Sequence, residues 1–267
     1  MRYVLTGVGR ALFNAVVTVG IVLLVWVAFL SLLDVNEFVG KGPSVVWEYL
    51  VTDEDAGEHL SEVMALVRTT LGDAAIGFVA GMGAALVLAS TIVLSKPAEN
   101  TIMPVAMLMR SVPLIAMAPV IRLIFGSGTL ATTAVIAGIV VLFPALVSIV
   151  FGLRSTSPQM RDVISVYGGS SFTALRKVDL PSAMPAFFAA VRISVPGAIT
   201  GALIAEWLGG SGDGVGYAVV SAVGRAQNTL VWSLVIVITL VSLALYTLAQ
   251  VIESIVLARF GQGPGKA

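Results

Sequence analysis

Long apolar blocks alternate with short polar breaks along the chain, and six blocks reach the length of a membrane span: 11–33, 72–94, 101–125, 129–151, 185–207 and 230–257. A helix needs about 20 predominantly apolar residues to cross a hydrocarbon core about 30 Å thick, because each residue advances it about 1.5 Å. The third block holds Pro104, Pro113 and Pro119 together with Arg110 and Arg122. This predicts a broken or kinked helix whose freed backbone groups are satisfied by neighbouring protein or water. The first block is too long for a secretory-signal core and no small-residue cleavage site follows it, so it reads as a retained helix.

The polar breaks are short except for two, the linker after the first block and the insert Ser157–Pro181. In the insert, Ser157 can cap a helix that starts at Pro158, where the missing N–H is no loss. The segment QMRDVISVY continues that helix, and Gly168-Gly169 is placed to close it. Ser170 or Ser171 can start a second short helix, on which Phe172, Leu175, Arg176 and Asp179 share a face at helical spacing. Val178 and Leu180 then lead to Pro181, where the chain turns apolar again. The insert therefore reads as two short helices at an angle, with apolar knobs and few charges. A plain connector between spans takes a handful of residues. An amphipathic unit resting on lipid and a unit docking on a protein partner both fit this pattern.

Composition agrees with a membrane protein: 58% of residues are hydrophobic, 11% charged, and the mean hydropathy is +1.01, against about 25% charged residues in an ordinary soluble domain. A formal net charge of zero gives no global signal for nucleic acid. The absence of cysteine excludes disulfides and thiolate metal sites, and a single histidine leaves almost nothing to build a zinc or haem site.

Orientation follows from the loops. Arg2 and Arg10 precede the first block; Arg154, Arg161, Arg176 and Lys177 follow the fourth; Arg259 and Lys266 follow the sixth. The linker between the first two blocks is acidic, with Asp34, Glu37, Glu48, Asp53, Glu54, Asp55, Glu58 and Glu62. The excess of Lys and Arg on cytoplasmic loops then places both termini and the insert in the cytoplasm. His59, in the external linker, reads as a solvated residue at a helix start. The expected organisation is a first helix with its acidic linker (1–71), a core (72–257) containing the cytoplasmic loop 152–184, and a tail (258–267).

Within the insert, Asp162-Val163-Ile164, three residues, Gly168, nine residues, Val178, one residue, Leu180-Pro181 resembles the EAA motif of ABC importer permeases. The glycine and the Leu-Pro are in register. Asp162 keeps the carboxylate of the opening triplet, while Val163 and Ile164 replace its alanines. The blocks MRSVPLIAMAPVIRLIFG (109–126), FPALVSIVFGLRS (143–155), LPSAMPAFFAAVRISV (180–195) and IAEWLGGSGDGVGYAV (204–219) extend the likeness, in order, to permeases that import sulfonates, taurine, nitrate and pyrimidine precursors.

The resemblance implies an all-α polytopic protein of the bacterial cytoplasmic membrane, with six transmembrane helices in the type I (MetI-like) arrangement. It implies a coupling helix that docks in a groove of a separate ATPase subunit, a role carried over to Asp162, Gly168, Gly169, Phe172, Leu175, Arg176, Leu180 and Pro181, with Phe172 and Leu175 as apolar knobs. The implied partners are two ATPase subunits, a second permease copy or paralogue, an extracytoplasmic solute-binding protein and membrane lipid. The chain has no GxxxxGK[ST] phosphate loop, and GKGPS at 40–44 lacks the upstream glycine. It is thus expected not to be an enzyme and to bind no cofactor itself, ATP and Mg²⁺ acting in the partner.

Ionisable residues inside a span are costly and mark function by default, which singles out three for the substrate path. The resemblance gives Arg110 a structural role at the broken helix, and gives Glu206 one at the external gate. Arg122 either snorkels to headgroups or attracts anions into the path. Arg192 is expected to snorkel. The solute implied is a small anion or heterocycle. A carrier coupled to an ion gradient is the alternative, and it calls for midplane carboxylates and an internal repeat. No clear repeat is visible, and Asp73, Glu206 and Glu253 fall near span ends.

Overall fold

The computed structural model describes residues 2–208 and 212–259, apart from the side chains of residues 2–12, 14, 15 and 110. No β-strand occurs among the described residues. The chain forms α1 (Arg2–Leu32), then α2 (Pro43–Trp47), which widens into a π-type turn at Glu48–Thr52. There follow α3 (Ala56–Leu94), α4 (Lys96–Ser111), α5 (Leu114–Phe125) and α6 (Leu130–Arg154). The insert holds α7 (Pro158–Val166) and α8 (Ser171–Ala174), the latter running through a second π-type turn (Leu175–Asp179) into α9 (Leu180–Ser182). The chain continues with α10 (Met184–Trp207), α11 (Val215–Gly224) and α12 (Asn228–Arg259).

Four of these helices, α3, α6, α10 and α12, are long and apolar enough to cross a membrane, and α4 with α5 makes a fifth if the pair is one bent crossing. The bend between them is 105°. It falls where the sequence put a break, but only one of three prolines causes it. Pro104 and Pro119 lie inside helices that continue. At the break Val112 adopts φ −81°, ψ 125°, the extended conformation that a following proline imposes. Of α1, the described apolar part is Val16–Leu32. Its Trp26 stacks on Trp232 of α12, ring centroids 5.3 Å apart, while the Trp232 indole N–H donates to the Val39 carbonyl at 2.9 Å.

Two expectations change. The helix expected from residue 72 begins at Ala56, so Glu58, Glu62 and Arg68 ride on α3 rather than on a linker. His59 is half-buried rather than solvated: its ring stacks on Tyr49, centroids 3.9 Å apart, and its Nδ1 lies 3.1 Å from the Tyr49 carbonyl oxygen.

The core is the meeting of α3, α6 and α10, and small residues make it. A Cβ at Gly81 would come 2.5 Å from the Gly138 carbonyl oxygen, one at Gly201 would come 2.6 Å from Ala137 Cα, and one at Gly77 would overlap the Ala137 side chain. In lipid there is little hydrophobic force between helices, so close backbone approach and van der Waals contact hold them together. Val141, Ala145, Leu146 and Ala202 are fully buried around this contact. Gly77→Val is therefore expected to overpack α3 against α6 and destabilise the bundle by about 1–3 kcal/mol. A lower melting temperature in detergent micelles checks this, and an unchanged one contradicts the packing.

Candidate functional site

The bundle carries organised polar structure at both ends of α10, which at 24 residues is about 36 Å long. At its start is the elbow formed by α7, α8 and α9. Ser157 is extended (φ −64°, ψ 139°) and Pro158 opens α7, as the sequence suggests, although the Ser157 hydroxyl makes no capping bond. The other end of α7 closes with Gly168 at φ +75°. The Gly168 N–H donates to the Ser165 carbonyl and the Gly169 N–H to the Ile164 carbonyl, each at 2.9 Å. This pair of bonds defines a Schellman closure, which favours glycine at the left-handed position. Ser170 then caps α8, its Oγ accepting from the Thr173 N–H at 3.3 Å. The direction change between the short helices is thus set by four consecutive residues, Gly168 to Ser171.

Neither α7 nor α8 contains a buried residue. Instead α7 turns outward Met160, Val163, Val166 and Tyr167, the last two more than four-fifths exposed, and Phe172 stands out from α8 at 63% exposure. Asp162, Arg176 and Pro181 are exposed, and Leu180 is half-buried. Leu175, expected as a knob for a partner, points inward at 4% exposure and packs in the core of the chain itself. Residues three apart on a helix lie about 60° apart around its axis, so Phe172 faces out while Leu175, at the start of the π-type turn, faces the body with Val178 and Asp179.

Below the elbow, two ion pairs fasten the roots of the insert. Arg161 on α7 donates from Nε to Asp179 Oδ1 at 2.9 Å and from Nη2 to the Leu153 carbonyl at 3.2 Å. Arg154, at the end of α6, meets Glu99 on α4 at 2.7 Å, and Lys96 shares that carboxylate at 2.9 Å. Neither pairing was read from the sequence. The signal for the first is Asp179, the one acidic residue between Asp162 and Glu206.

At the far end of α10 stands Glu206, 1% exposed. Its Oε2 accepts from the Thr70 hydroxyl at 3.0 Å and from the Gly216 N–H at 2.7 Å, and Thr70 Oγ1 in turn accepts from the Val215 N–H at 2.9 Å. The first amides of α11 are thus capped by two side chains from α10 and α3, in place of the local capping residue that a helix start requires. Gly214 precedes α11 at φ +93°, and a Cβ there would come 2.5 Å from Glu206 Oε1. Gly214 and Gly216 thus make room for the carboxylate. Thr70 is 136 residues from Glu206 and carries no sequence signal.

The remaining predicted residues are accounted for as follows. Arg122 is half-buried. Its Nη1 donates to the Leu208 carbonyl at the end of α10, and its Nη2 to Ser127 Oγ at 3.0 Å. Arg192 pairs with Glu253 of α12 at 3.2 Å and lies over the Tyr246 ring at 5.9 Å. The Arg110 side chain, the Arg2 and Arg10 side chains and the tail from residue 260 lie outside the described residues. No group of three metal-ligating side chains occurs among the described residues.

Long apolar helices packed through glycine, with a helix pair sharply bent at a proline, define a polytopic helical bundle built to cross a membrane. The chain belongs to the family of binding-protein-dependent transport system inner membrane components, which it matches over residues 77–262. It is similar to a probable ABC transporter permease protein of Haemophilus influenzae, 28% identical over 88% of this chain and 93% of the relative. It is also similar to the riboflavin transport system permease protein RibX of Chloroflexus aurantiacus, 30% identical over 58% of this chain and 57% of that one. A putative aliphatic sulfonates transport permease protein, SsuC, of Bacillus subtilis is 28% identical over 67% of this chain and 64% of its own length. Among solved structures, a chain of the MetNI methionine ABC transporter superposes with a TM-score of 0.58 at 19% identity, over 78% of this chain and 99% of that one. The family, an ABC importer permease component, is the one that the spacing in the insert resembles.

Proposed function

We propose that this chain is the membrane-spanning subunit of an importer driven by ATP hydrolysis in separate subunits, and that it forms the path for a small anionic or heterocyclic solute. It works with two ATPase subunits, a second permease copy or paralogue, and a solute-binding protein outside the bacterial cytoplasmic membrane. ATP and Mg²⁺ act in the ATPase, and this chain is not itself an enzyme. In this reading α1 and the bent α4–α5 pair complete six crossings, both termini and the elbow face the cytoplasm, and the organisation into 1–71, the core 72–257 and the tail 258–267 follows.

The observation that carries the proposal is the elbow: two helices with no buried residue, displaying Val166, Tyr167 and Phe172 from a base fastened to α6 and α10. Large exposed apolar side chains on a polar loop mark a protein-docking surface. Asp162, Arg176 and Gly169 flank it, while Leu175, Leu180 and Pro181 form its root. Relatives named for riboflavin, formylaminopyrimidine and aliphatic sulfonate transport support the solute class.

The test is uptake into proteoliposomes, with riboflavin, a formylaminopyrimidine and an alkanesulfonate as probes. Uptake of one of them that requires enclosed ATP, and that persists when ion gradients are collapsed, is the expected result. Uptake driven by an ion gradient without ATP contradicts it. Replacing Phe172 with Asp is expected to strip ATPase subunits from the purified chain, lowering their recovery about tenfold or more, as loss of a central apolar anchor does. Membrane insertion stays intact. Full recovery of the subunits would move the docking surface elsewhere.

A further inference from the structure

We propose that Arg161 is a positioning residue: through Asp179 and the Leu153 carbonyl it locks the elbow to the ends of α6 and α10, so that movement imposed on α7 and α8 is carried into the bundle. This role rests on the ATP-driven reading above and names the part that transmits the stroke.

Four observations support it. First, α7 and α8 have no buried residue, so apolar packing does not hold them in place. A cleft of about 270 Å³ separates them from the end of α3, with Val93 and Leu94 on one side and Ile164, Gly169 and Ala174 on the other. Second, Arg161 touches three elements at once. It is rooted on α7, its Nε reaches Asp179 in the π-type turn at 2.9 Å, and its Nη2 reaches the Leu153 carbonyl in the last turn of α6 at 3.2 Å. Guanidinium is suited to this, since its planar fork presents several fixed donors. Third, the Asp179 side chain is only 3% exposed while Arg161 is 39% exposed. A buried carboxylate so placed is a poor source of stability relative to an apolar residue, but it fixes one geometry, because leaving it unpaired is costly. Fourth, the anchored side is itself tightly joined. Leu153, Leu175 and Ala183 share the core, and Gly152 lies so close to Ala183 and Ala186 that a Cβ there would clash. What grips the elbow therefore grips α6 and α10 together, and α10 ends at Glu206 and α11.

The chain has no cysteine, so Val223→Cys on α11, at a residue 59% exposed, is a single reporter site. The complex with its co-purified ATPase subunits is placed in nanodiscs and trapped with ATP and vanadate, and the rate of maleimide labelling is compared with the untrapped rate. ATP hydrolysis, subunit recovery and melting temperature are recorded on the same samples.

The unmodified lock is expected to give a shift in labelling on trapping. Arg161→Gln and Asp179→Asn are expected to lose that shift while keeping the ATPase subunits and their hydrolysis rate. Arg161→Lys, which keeps a charge opposite Asp179 but not the fork to Leu153, is expected to give an intermediate shift. A wild-type shift in Arg161→Gln overturns the proposal. If the Gln and Asn variants fail to fold, an undiminished shift in Arg161→Lys overturns it instead. Loss of hydrolysis and of ATPase recovery in parallel with the shift assigns the pair to folding or docking, which also overturns it. No shift with the lock intact counts against the ATP-driven reading itself, and this role falls with it.

Discussion

Glu206→Ala is expected to release α11 from the bundle and to destabilise the protein by about 2–6 kcal/mol, since it strands the Gly216 amide and the Thr70 hydroxyl at about 1–3 kcal/mol for each buried group left unsatisfied. Both donors lie within 3.0 Å of Glu206 Oε2. The Val215 amide is drawn in as well, because it donates to the same Thr70 oxygen. A loss of this size is a large part of the about 5–15 kcal/mol that separates folded from unfolded states in typical domains. It would be read as a fall in melting temperature in detergent. Glu206→Gln separates the hydrogen bonds from the charge. Its amide oxygen can accept both bonds, so it is expected to be clearly more stable than the alanine variant. Equal melting of Glu206→Ala and the unchanged chain would mean that the carboxylate does not hold α11.

Gly168→Pro is the second change with a large expected effect. Gly168 sits at φ +75° and its N–H donates to the Ser165 carbonyl, whereas a proline ring holds φ near −65° and has no N–H. The proline also disfavours the compact conformation of Tyr167, which stands at φ −83°, ψ 14°. The Schellman closure therefore cannot form, and the exposed face of α7 loses its fixed angle to Phe172. The expected result is a protein that still inserts into the membrane and a complex that still hydrolyses ATP, with solute moved per ATP lowered strongly. Gly168→Ala, strained by about 1–2 kcal/mol in the left-handed region, should fall between. Transport per ATP unchanged in Gly168→Pro would place the elbow elsewhere.

What could be read from the sequence was local. The break within the third apolar block, the start of α7 at Pro158 and its closure at Gly168 each depend on the conformational limits of proline or glycine, which act within a few residues, though which of three prolines makes the break was settled by the fold. The early start of α3 was missed because acidic residues at 53–62 suggested a solvated linker, although Glu, Leu, Met and Ala there are also good helix formers. Helical spacing groups Leu175 with Phe172, yet about 60° around the axis separates them, and which of the two meets the core is decided by packing that composition does not mark. Arg192, Arg122 and Glu206 stood out as charges inside apolar blocks, which signals that each needs a partner without saying which. The partners are Glu253, the Leu208 carbonyl and Thr70, brought near only by the packing of α3, α10 and α12 and by the return of α5 on α6. Of the two residues that replace the motif's alanines, Val163 is exposed and Ile164 half-buried against Gly169.

The subunit composition of the complex, purified by a tag on this chain in mild detergent and weighed by native mass spectrometry, tests the central claim most directly. The account predicts a particle of two permease chains and two ATPase subunits that hydrolyses ATP. This chain recovered alone or only with itself, with no ATPase under conditions that keep it folded, would contradict it.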